Sequence, residues 1–204
     1  MVYYLTRAFI RVVLWSYFRV EASGRENLAV KGAVILAPVH RSNLDALLLS
    51  ALTRRRIRAV AKESLFRVNP LAWFISALGA FPVRRGSADR ESLRAARFLL
   101  DRKEMLLVFP EGGRQHGDHI GDLFHGTAYL AARSGASVIP VGIAGTEEAM
   151  AQGVRFPRPR KVQVVVGATL RPPDFSAKRS ELRSWTSELS VSLQSVQMEA
   201  RSRL

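Results

Sequence analysis

One histidine and one aspartate lie close together where an apolar strand leads into a helix. His40 follows the run Val-Ile-Leu-Ala-Pro-Val of residues 34–39, and Asp45 comes five residues later. Ser42 or Asn43 can cap the helix that follows, which puts Asp45 in its first turn. The histidine can then fold back over that turn, and the carboxylate would fix its tautomer while the other ring nitrogen takes a proton. The pair is a candidate general base, although H-x-x-x-x-D alone is more often structural.

Three further segments are each built around a short apolar strand: residues 79–86, 108–114 and 138–143. They contain the candidate site residues Arg84, Arg85, Glu111, Gly112, Arg114 and Pro140, of which the three arginines could bind an anionic substrate. Because guanidinium groups bind phosphate through paired hydrogen bonds, arginines at strand ends near a base suit a phosphorylated alcohol. The chain has neither cysteine nor G-x-S-x-G, so the substrate's own hydroxyl would have to attack.

In order and spacing, these four segments resemble the signature blocks of the glycerolipid acyltransferase family, which includes bacterial 1-acylglycerol-3-phosphate acyltransferases. The resemblance extends from about Gly24 to Gly167. The resemblance implies that His40 is the general base and that Asp45 is its partner. It implies that Arg85 binds the acceptor phosphate with help from Arg84, and that Glu111, Gly112 and Arg114 take part in acceptor binding. Pro140 would lie in an apolar wall near the acyl chain.

The resemblance also implies a reaction and its partners. A fatty acyl group would pass from acyl-coenzyme A or acyl-carrier protein to the free hydroxyl of 1-acylglycerol 3-phosphate, without a cofactor. The product would be phosphatidic acid, made for phospholipid biosynthesis. Glycerol 3-phosphate or another membrane lipid is the alternative acceptor, and a non-catalytic basic module that binds membrane or nucleic acid is a distant alternative.

Two positions depart from the family pattern. Val39 stands where an asparagine commonly precedes the family histidine, and residues 124–126, Phe-His-Gly, stand where a lysine is common. A neutral histidine there would attract phosphate less, which leaves the acceptor open. One short loop also collects His116, Asp118, His119, Asp122 and His125. Their spacing matches no recognised metal motif, so we expect no metal site.

Short β-branched runs alternate with helical patterns along the chain, and no repeat or linker divides it. The predicted strands cover residues 34–37, 57–61, 80–83, 105–109, 138–143 and 162–166. The predicted helices cover residues 43–53, 70–78, 88–102, 123–134 and 175–201. This alternation predicts an α/β domain with a mixed, largely parallel central sheet flanked by helices. The four segments then fall at the carboxyl ends of strands, where such sheets bind ligands.

The first twenty residues are apolar and aromatic but contain three arginines. The longest uncharged run after Arg11 is residues 12–18, far shorter than the roughly 20 residues that cross a bilayer. On a helix, Arg7 and Arg11 share one face and apolar residues cover much of the rest, which is typical of an amphipathic helix in a membrane interface. Packing on the domain core is the alternative. We expect a membrane-associating helix over residues 1–23, an acyltransferase domain over residues 24–204, and peripheral or monotopic attachment at the cytoplasmic face of the cell membrane.

The charge of the chain indicates what kind of partner it binds. The chain of 204 residues has 31 basic and 17 acidic residues, a formal net charge of +14 at pH 7, and only five of the basic residues are lysine. An arginine excess favours a phosphate-rich partner such as an anionic membrane surface or a phosphorylated substrate. We expect no nucleic acid, because the basic cluster at residues 54–58 lacks interleaved aromatic side chains. The oligomeric state does not follow from the sequence.

Overall fold

A seven-stranded sheet forms the centre of the protein, seen in a computed structural model that describes residues 2–62, 72–73, 75–76, 79–83, 88–154 and 156–204. The order of the described strands is β1-β7-β6-β2-β5-β3-β4. Their bounds are β1 Val20–Ser23, β2 Val34–Pro38, β3 Ile57–Lys62, β4 Ala80–Val83, β5 Met105–Leu107, β6 Ser137–Ala144 and β7 Val162–Val166.

The sheet is mixed and largely parallel, which confirms the predicted fold class. Among the described strands, only β6 and β7 pair antiparallel, and each of the other neighbouring pairs is parallel. Every residue of β2 and β7 is buried. Strands that are covered on both faces consist almost entirely of apolar residues, and these apolar runs are what allowed β2 and β7 to be predicted from the sequence.

Helices surround the sheet in the described part of the chain. Their bounds are α1 Val2–Phe9, α2 Trp15–Tyr17, α3 Leu44–Leu49, α4 Ala88–Asp101, α5 Gly126–Ser134, α6 Thr146–Ala149 and α7 Arg179–Ser202, with a π-helical turn at Ile10–Leu14 and a 3₁₀ turn at Arg25–Leu28. α7 packs on β6 and β7, and α5 contacts both α4 and α7. The buried apolar side chains of α7 recur every three or four residues, as one face of a helix requires: Trp185, Leu189, Leu193, Val196 and Ala200.

Two helices begin later than their sequence patterns predict, and in each case a hydrogen bond holds a preceding residue in another conformation. Before α7, the carboxylate of Asp174 accepts a bond from Ser176 N–H at 2.8 Å and stabilises a turn. Before α5, Phe124 N–H donates to the carbonyl of Pro110 at 2.9 Å, so this residue stays with the loop after β5. Most of the predicted helix over residues 70–78 lies outside the described residues.

The N-terminal helix packs one side against the domain. Trp15 Nε1 donates to the carbonyl of Leu48 in α3 at 3.1 Å, and the Tyr3 hydroxyl accepts a bond from Ile57 N–H of β3 at 3.1 Å. Burial raises the pKa of the Tyr3 phenol, which therefore stays neutral. Ile10 and Phe18 are buried beside them. The helix is thus attached to the core at two separate elements.

The opposite side of this helix is apolar and exposed. Its exposed large side chains are Val2, Tyr4, Leu5, Phe9, Val12, Val13 and Tyr17. Arg7 turns inward and donates to the carbonyl of Thr53 at 3.0 Å, while the guanidinium of Arg11 lies 3.5 Å from the ring centroid of Trp15. The helix therefore packs on the domain and still presents an apolar outer face. In the described ranges, no helix combines the length and the apolarity that crossing a bilayer would need.

The helical segment is shorter than the 1–23 that the sequence indicated. It ends at Tyr17, a turn follows at Arg19 with φ 46°, and Val20–Ser23 forms the edge strand β1. β1 pairs in parallel with β7. Residues 20–23 therefore belong to the sheet, because their backbone bonds are made with a strand near the other end of the chain.

Candidate active site

The loop that carries His40 lies at the carboxyl edge of the parallel strands. β2 ends at Pro38, and its parallel neighbour β5 ends at Leu107. The segments that follow the two strands, residues 39–45 and 108–114, are therefore delivered to the same side of the sheet. Ligands of open α/β sheets bind at this edge.

His40 and Asp45 are joined by a hydrogen bond. His40 Nδ1 lies 2.9 Å from Asp45 Oδ2, and the same oxygen accepts bonds from Arg41 N–H at 2.6 Å and Ser42 N–H at 2.8 Å. The Asp45 side chain is completely buried, whereas 19% of the His40 side chain remains exposed. Because the amides of Arg41 and Ser42 both donate to this carboxylate, the backbone turns around it at the start of α3. This turn brings His40 and Asp45 into contact although they are five positions apart.

An aromatic ring fixes the plane of the imidazole. The rings of His40 and Phe109 stack with centroids 3.8 Å apart and planes inclined by 19°. With Nδ1 engaged by Asp45, Nε2 is the ring nitrogen left for a substrate hydroxyl. The arrangement matches the base and the orienting carboxylate of a catalytic triad. Phe109 was not among the residues singled out from the sequence, where it reads only as the end of an apolar strand.

Glu111 lies beside this pair, held by a buried ion pair with Arg41. Arg41 Nη1 is 3.0 Å from both carboxylate oxygens of Glu111, and the two side chains are 2% and 0% exposed. Glu111 Oε2 also accepts a bond from His40 N–H at 2.9 Å, and Oε1 accepts one from Gly121 N–H at 3.1 Å. Among the described contacts, the partner of Glu111 is therefore Arg41 and not Arg114. Its carboxylate supports the backbone of the histidine loop.

Arg41 connects the histidine loop to the loop after β5. Its Nε donates to the carbonyl of Gly117 at 3.0 Å, and its Nη2 donates to that of His119 at 2.9 Å. Gln115 N–H donates to the carbonyl of His40 at 2.8 Å. A single buried guanidinium thus fixes both loops relative to each other. Sequence reasoning missed it, since nothing in the pattern separates Arg41 from the other arginines of the chain.

Gly112 and Arg114 follow Glu111 at the same edge. Gly112 has φ +65°, and a Cβ atom at this position would lie 2.6 Å from the ring of Phe124. The positive φ favours glycine here, and a larger residue would also have to displace the exposed ring of Phe124. Arg114 is partly exposed and directly precedes Gln115, whose amide is bonded to His40. Arg114 is therefore brought next to the histidine loop.

Three candidate site residues remain, and they are associated with two other strands: Pro140 lies in β6, and Arg84 and Arg85 follow β4. Pro140 is buried inside β6, paired with Ala37 of β2, and its Cγ lies 2.9 Å from where a Cβ on Gly167 would be. It therefore lies within the sheet, and a role near the acyl chain stays a prediction. Arg84 and Arg85 lie outside the described residues. They follow β4, whose carboxyl end is at the same edge as that of β2.

The histidines of the loop after β5 contact different groups. His116 Nδ1 lies 2.8 Å from Glu147 Oε1, and His125 Nδ1 lies 3.2 Å from the hydroxyl of Thr186. Across the residues that the structure describes, no three His, Asp or Glu side chains are grouped as metal ligands would be.

The profile of the Acyltransferase family matches residues 19–144, more than half of the chain. The chain belongs to the Acyltransferase family. The matched region contains both loops described above, from His40 and Asp45 to Glu111 and Arg114, whereas β7 and α7 lie beyond it.

Individual members of the Acyltransferase family show how far the similarity extends. The crystal structure of the 1-acyl-sn-glycerophosphate (LPA) acyltransferase from Thermotoga maritima superposes with a TM-score of 0.79 at 26% identity, covering 96% of this chain and 78% of that one. The 1-acyl-sn-glycerol-3-phosphate acyltransferase of Bacillus subtilis is 25% identical over 175 residues, 85% of each protein. A chloroplastic 1-acyl-sn-glycerol-3-phosphate acyltransferase of Arabidopsis thaliana is 23% identical over 154 residues, 74% of this chain. The chain spans less than half the length of that relative and of two other chloroplastic or algal ones.

Replacing Asp45 by asparagine is expected to lower turnover about 100-fold with little change in the acceptor KM. Asparagine can keep an oxygen where Oδ2 is bonded to three groups, but it removes the charge that would stabilise an imidazolium on His40 during proton transfer. Steady-state kinetics of acyl transfer would measure the effect. A loss confined to the acceptor KM would contradict this role and indicate that Asp45 only shapes a binding surface.

Proposed function

We propose that this protein transfers a fatty acyl group from a thioester to the free hydroxyl of 1-acylglycerol 3-phosphate, forming phosphatidic acid. The observation that carries the proposal is the imidazole of His40, oriented through Nδ1 by the buried carboxylate of Asp45 and still partly exposed. Two similar proteins named above are 1-acyl-sn-glycerol-3-phosphate acyltransferases, and the similar crystal structure is of an enzyme acting on the same class of acceptor. The names of these three similar proteins support 1-acylglycerol 3-phosphate as the acceptor.

The reaction is a direct transfer without an acyl-enzyme. His40 Nε2 accepts the hydroxyl proton as the acceptor oxygen attacks the thioester carbonyl carbon and forms a tetrahedral oxyanion. The oxyanion collapses, the carbon–sulfur bond breaks, and the leaving thiolate receives the proton from the imidazolium. Asp45 stabilises the imidazolium between the two proton transfers. One ester and one thiol are produced, and His40 returns to its neutral form.

Arginines at the carboxyl edge would hold the acceptor phosphate. Arg114 lies beside the histidine loop, and Arg84 and Arg85 follow β4 in the sequence. Binding the phosphate at a fixed distance from Nε2 would position the hydroxyl for attack, which is worth several orders of magnitude in rate. The thioester is carried by coenzyme A or by acyl-carrier protein, and no further cofactor takes part.

The membrane is the second partner that we propose. The apolar outer face of the N-terminal helix has the character of a helix that lies in a bilayer interface, and the net charge of +14 favours anionic lipid. We assign the protein to the cytoplasmic face of the cell membrane, attached as a peripheral or monotopic protein.

A matrix of donors and acceptors tests the proposed reaction. Acyl-coenzyme A and acyl-carrier protein would each be combined with 1-acylglycerol 3-phosphate, its 2-acyl isomer and glycerol 3-phosphate, with mass spectrometry locating the new ester. Transfer should be fastest to 1-acylglycerol 3-phosphate. Faster transfer to glycerol 3-phosphate would establish the alternative acceptor, and no transfer with any pair would refute the enzymatic assignment.

Replacing Arg85 by alanine is expected to raise the KM for 1-acylglycerol 3-phosphate by roughly tenfold or more, since one charge-assisted hydrogen bond to the phosphate is lost. The KM for the donor should change much less. Arg183→Ala, an exposed arginine on α7, is the matched control and should leave both constants unchanged. Equal increases in the two KM values would contradict an acceptor-specific role.

A further inference from the structure

The segment between α6 and β7, residues 151–161, presents an apolar tip to the outside. Phe156 is 80% exposed and Val154 is 41% exposed. Isolated exposed apolar side chains are common on proteins, but here the surrounding chain holds them outward. Arg158 N–H donates to the carbonyl of the buried Ala149 at 2.8 Å and closes the base of the segment. Pro157 and Pro159 restrict the backbone on the way to β7.

The tip adjoins the outer face of the N-terminal helix. The hydroxyl of Tyr17 donates to the carbonyl of Pro157 at 3.3 Å, and both Val13 and Tyr17 are 45% exposed. These two residues are four positions apart and share one side of the helix. We name Val13, Tyr17, Val154 and Phe156 the helix–loop patch. Its two parts are distant in sequence and meet at the hydrogen bond between Tyr17 and Pro157.

Basic residues lie next to the helix–loop patch in the sequence. Residues 151–161 include four of them and no acidic residue: Arg155, Arg158, Arg160 and Lys161. Lys161 is paired with Glu21, at 3.3 Å between Nζ and Oε2. Arg158 and Arg160 are exposed, as is Arg19 after the N-terminal helix. Apolar side chains that enter the acyl boundary while neighbouring arginines reach lipid phosphates are the pattern of an interfacial membrane contact. This charge favours an anionic bilayer over an apolar protein surface.

The patch also lies at the same edge of the sheet as His40. The hydroxyl of Ser42, two residues after His40, donates to the carbonyl of Met150 at 2.7 Å, and Met150 directly precedes the segment. Contact of this edge with a bilayer would bring a lipid acceptor to the histidine without requiring it to leave the membrane.

We propose that the helix–loop patch inserts into the interface of an anionic bilayer, with Phe156 as a second anchor beside the N-terminal helix. The inference rests on the proposed function, since it supposes that the acceptor is a membrane lipid. Two points of attachment fix the orientation of the domain, which a single helix lying on the surface would leave free to rotate.

Phe175 supplies a matched control at the opposite edge. It is 59% exposed and has the guanidinium of Arg133 4.7 Å from its ring centroid. It follows Leu170, which bridges Val138 at the beginning of β6, whereas the 151–161 segment comes after the end of that strand. Phe175 thus resembles Phe156 in exposure and charge environment but should face away from the bilayer.

Because the chain has no cysteine, Phe156→Cys and Phe175→Cys each allow a single nitrobenzoxadiazole label. On vesicles of phosphatidylcholine with phosphatidylglycerol, the label at 156 is expected to brighten and to lose most of its quenching by iodide. The label at 175 should stay as accessible as in solution. Equal accessibility of both labels on vesicle-bound protein would overturn the proposal, as would a failure of the protein to bind these vesicles.

Vesicle cosedimentation gives a second measurement. Phe156→Ser should weaken binding to the anionic vesicles about tenfold, the effect of withdrawing one aromatic side chain from an apolar contact, and Phe175→Ser should not. Unchanged binding of Phe156→Ser would also overturn the proposal. Neither measurement uses acyl transfer, so failure of the proposed activity and failure of this contact remain distinguishable.

Discussion

Replacing His40 by alanine is expected to lower the rate of acyl transfer about 1,000-fold while leaving the fold intact. The expected loss follows from the proposed role of His40 as general base, a role that typically contributes about 10²–10⁴ in rate. The fold should tolerate the change because the His40 side chain is partly exposed and Asp45 keeps its bonds from the amides of Arg41 and Ser42. Transfer to 1-acylglycerol 3-phosphate would be measured together with circular dichroism and thermal unfolding.

His116→Ala is the control for this experiment. The His116 side chain is 62% exposed and is also hydrogen-bonded to a carboxylate, that of Glu147, so it shares the chemistry of His40 without its burial or its stacked ring. This variant should keep nearly full activity. Transfer near the wild-type rate by His40→Ala would refute the mechanism, whatever the outcome for His116.

Replacing Arg41 by methionine is expected to lower the free energy of unfolding by about 3–5 kcal/mol. The change leaves the carboxylate of Glu111 buried without its counter-charge, which is the costly way to break a buried ion pair. It also removes the donors to the carbonyls of Gly117 and His119. For a domain of this size the corresponding decrease in Tm is roughly 10 °C, measurable by urea or thermal unfolding.

A double variant separates the ion pair from simple packing. Arg41→Met combined with Glu111→Gln removes both charges and keeps an acceptor for one of the two amides, His40 N–H or Gly121 N–H. Because no buried charge is left without a partner, the double variant should be more stable than Arg41→Met alone. The partly exposed pair of Arg58 and Glu104, whose side chains are 26% and 22% exposed, is the control, and Glu104→Gln should cost no more than about 1 kcal/mol. An Arg41→Met protein as stable as the wild type would contradict the structural role.

The patterning of the sequence predicted six of the seven described strands, including the edge strand β4, and missed the other edge strand, β1. β2 and β7 are buried on both faces, so their apolar runs are visible without knowledge of the fold. β1 was missed because Val-Glu-Ala-Ser is only four residues long and has no distinct alternation. Its strand conformation comes from pairing with β7, and such pairing cannot be read from a local window.

The site was predictable to the extent that it is local in sequence. The spacing of His40 and Asp45 around a helix start indicated their contact, and the contact is present. The partner of Glu111 was not predictable, since Arg41 is distant in sequence and reaches it only because β2 and β5 are neighbours in the sheet. Burial decides which of many arginines becomes structural, and burial depends on the complete fold.

The edge position of β1 has a consequence for synthesis of the protein. Residues 20–23 leave the ribosome well before their partner strand, Val162–Val166. The N-terminal helix can therefore dock with Leu48 and Ile57 as soon as those residues emerge, whereas β1 can pair only after β7 has been made. Contacts between such distant segments slow folding and prolong the exposure of unpaired backbone. Completion of this edge should be among the last steps by which the newly made chain reaches its native state.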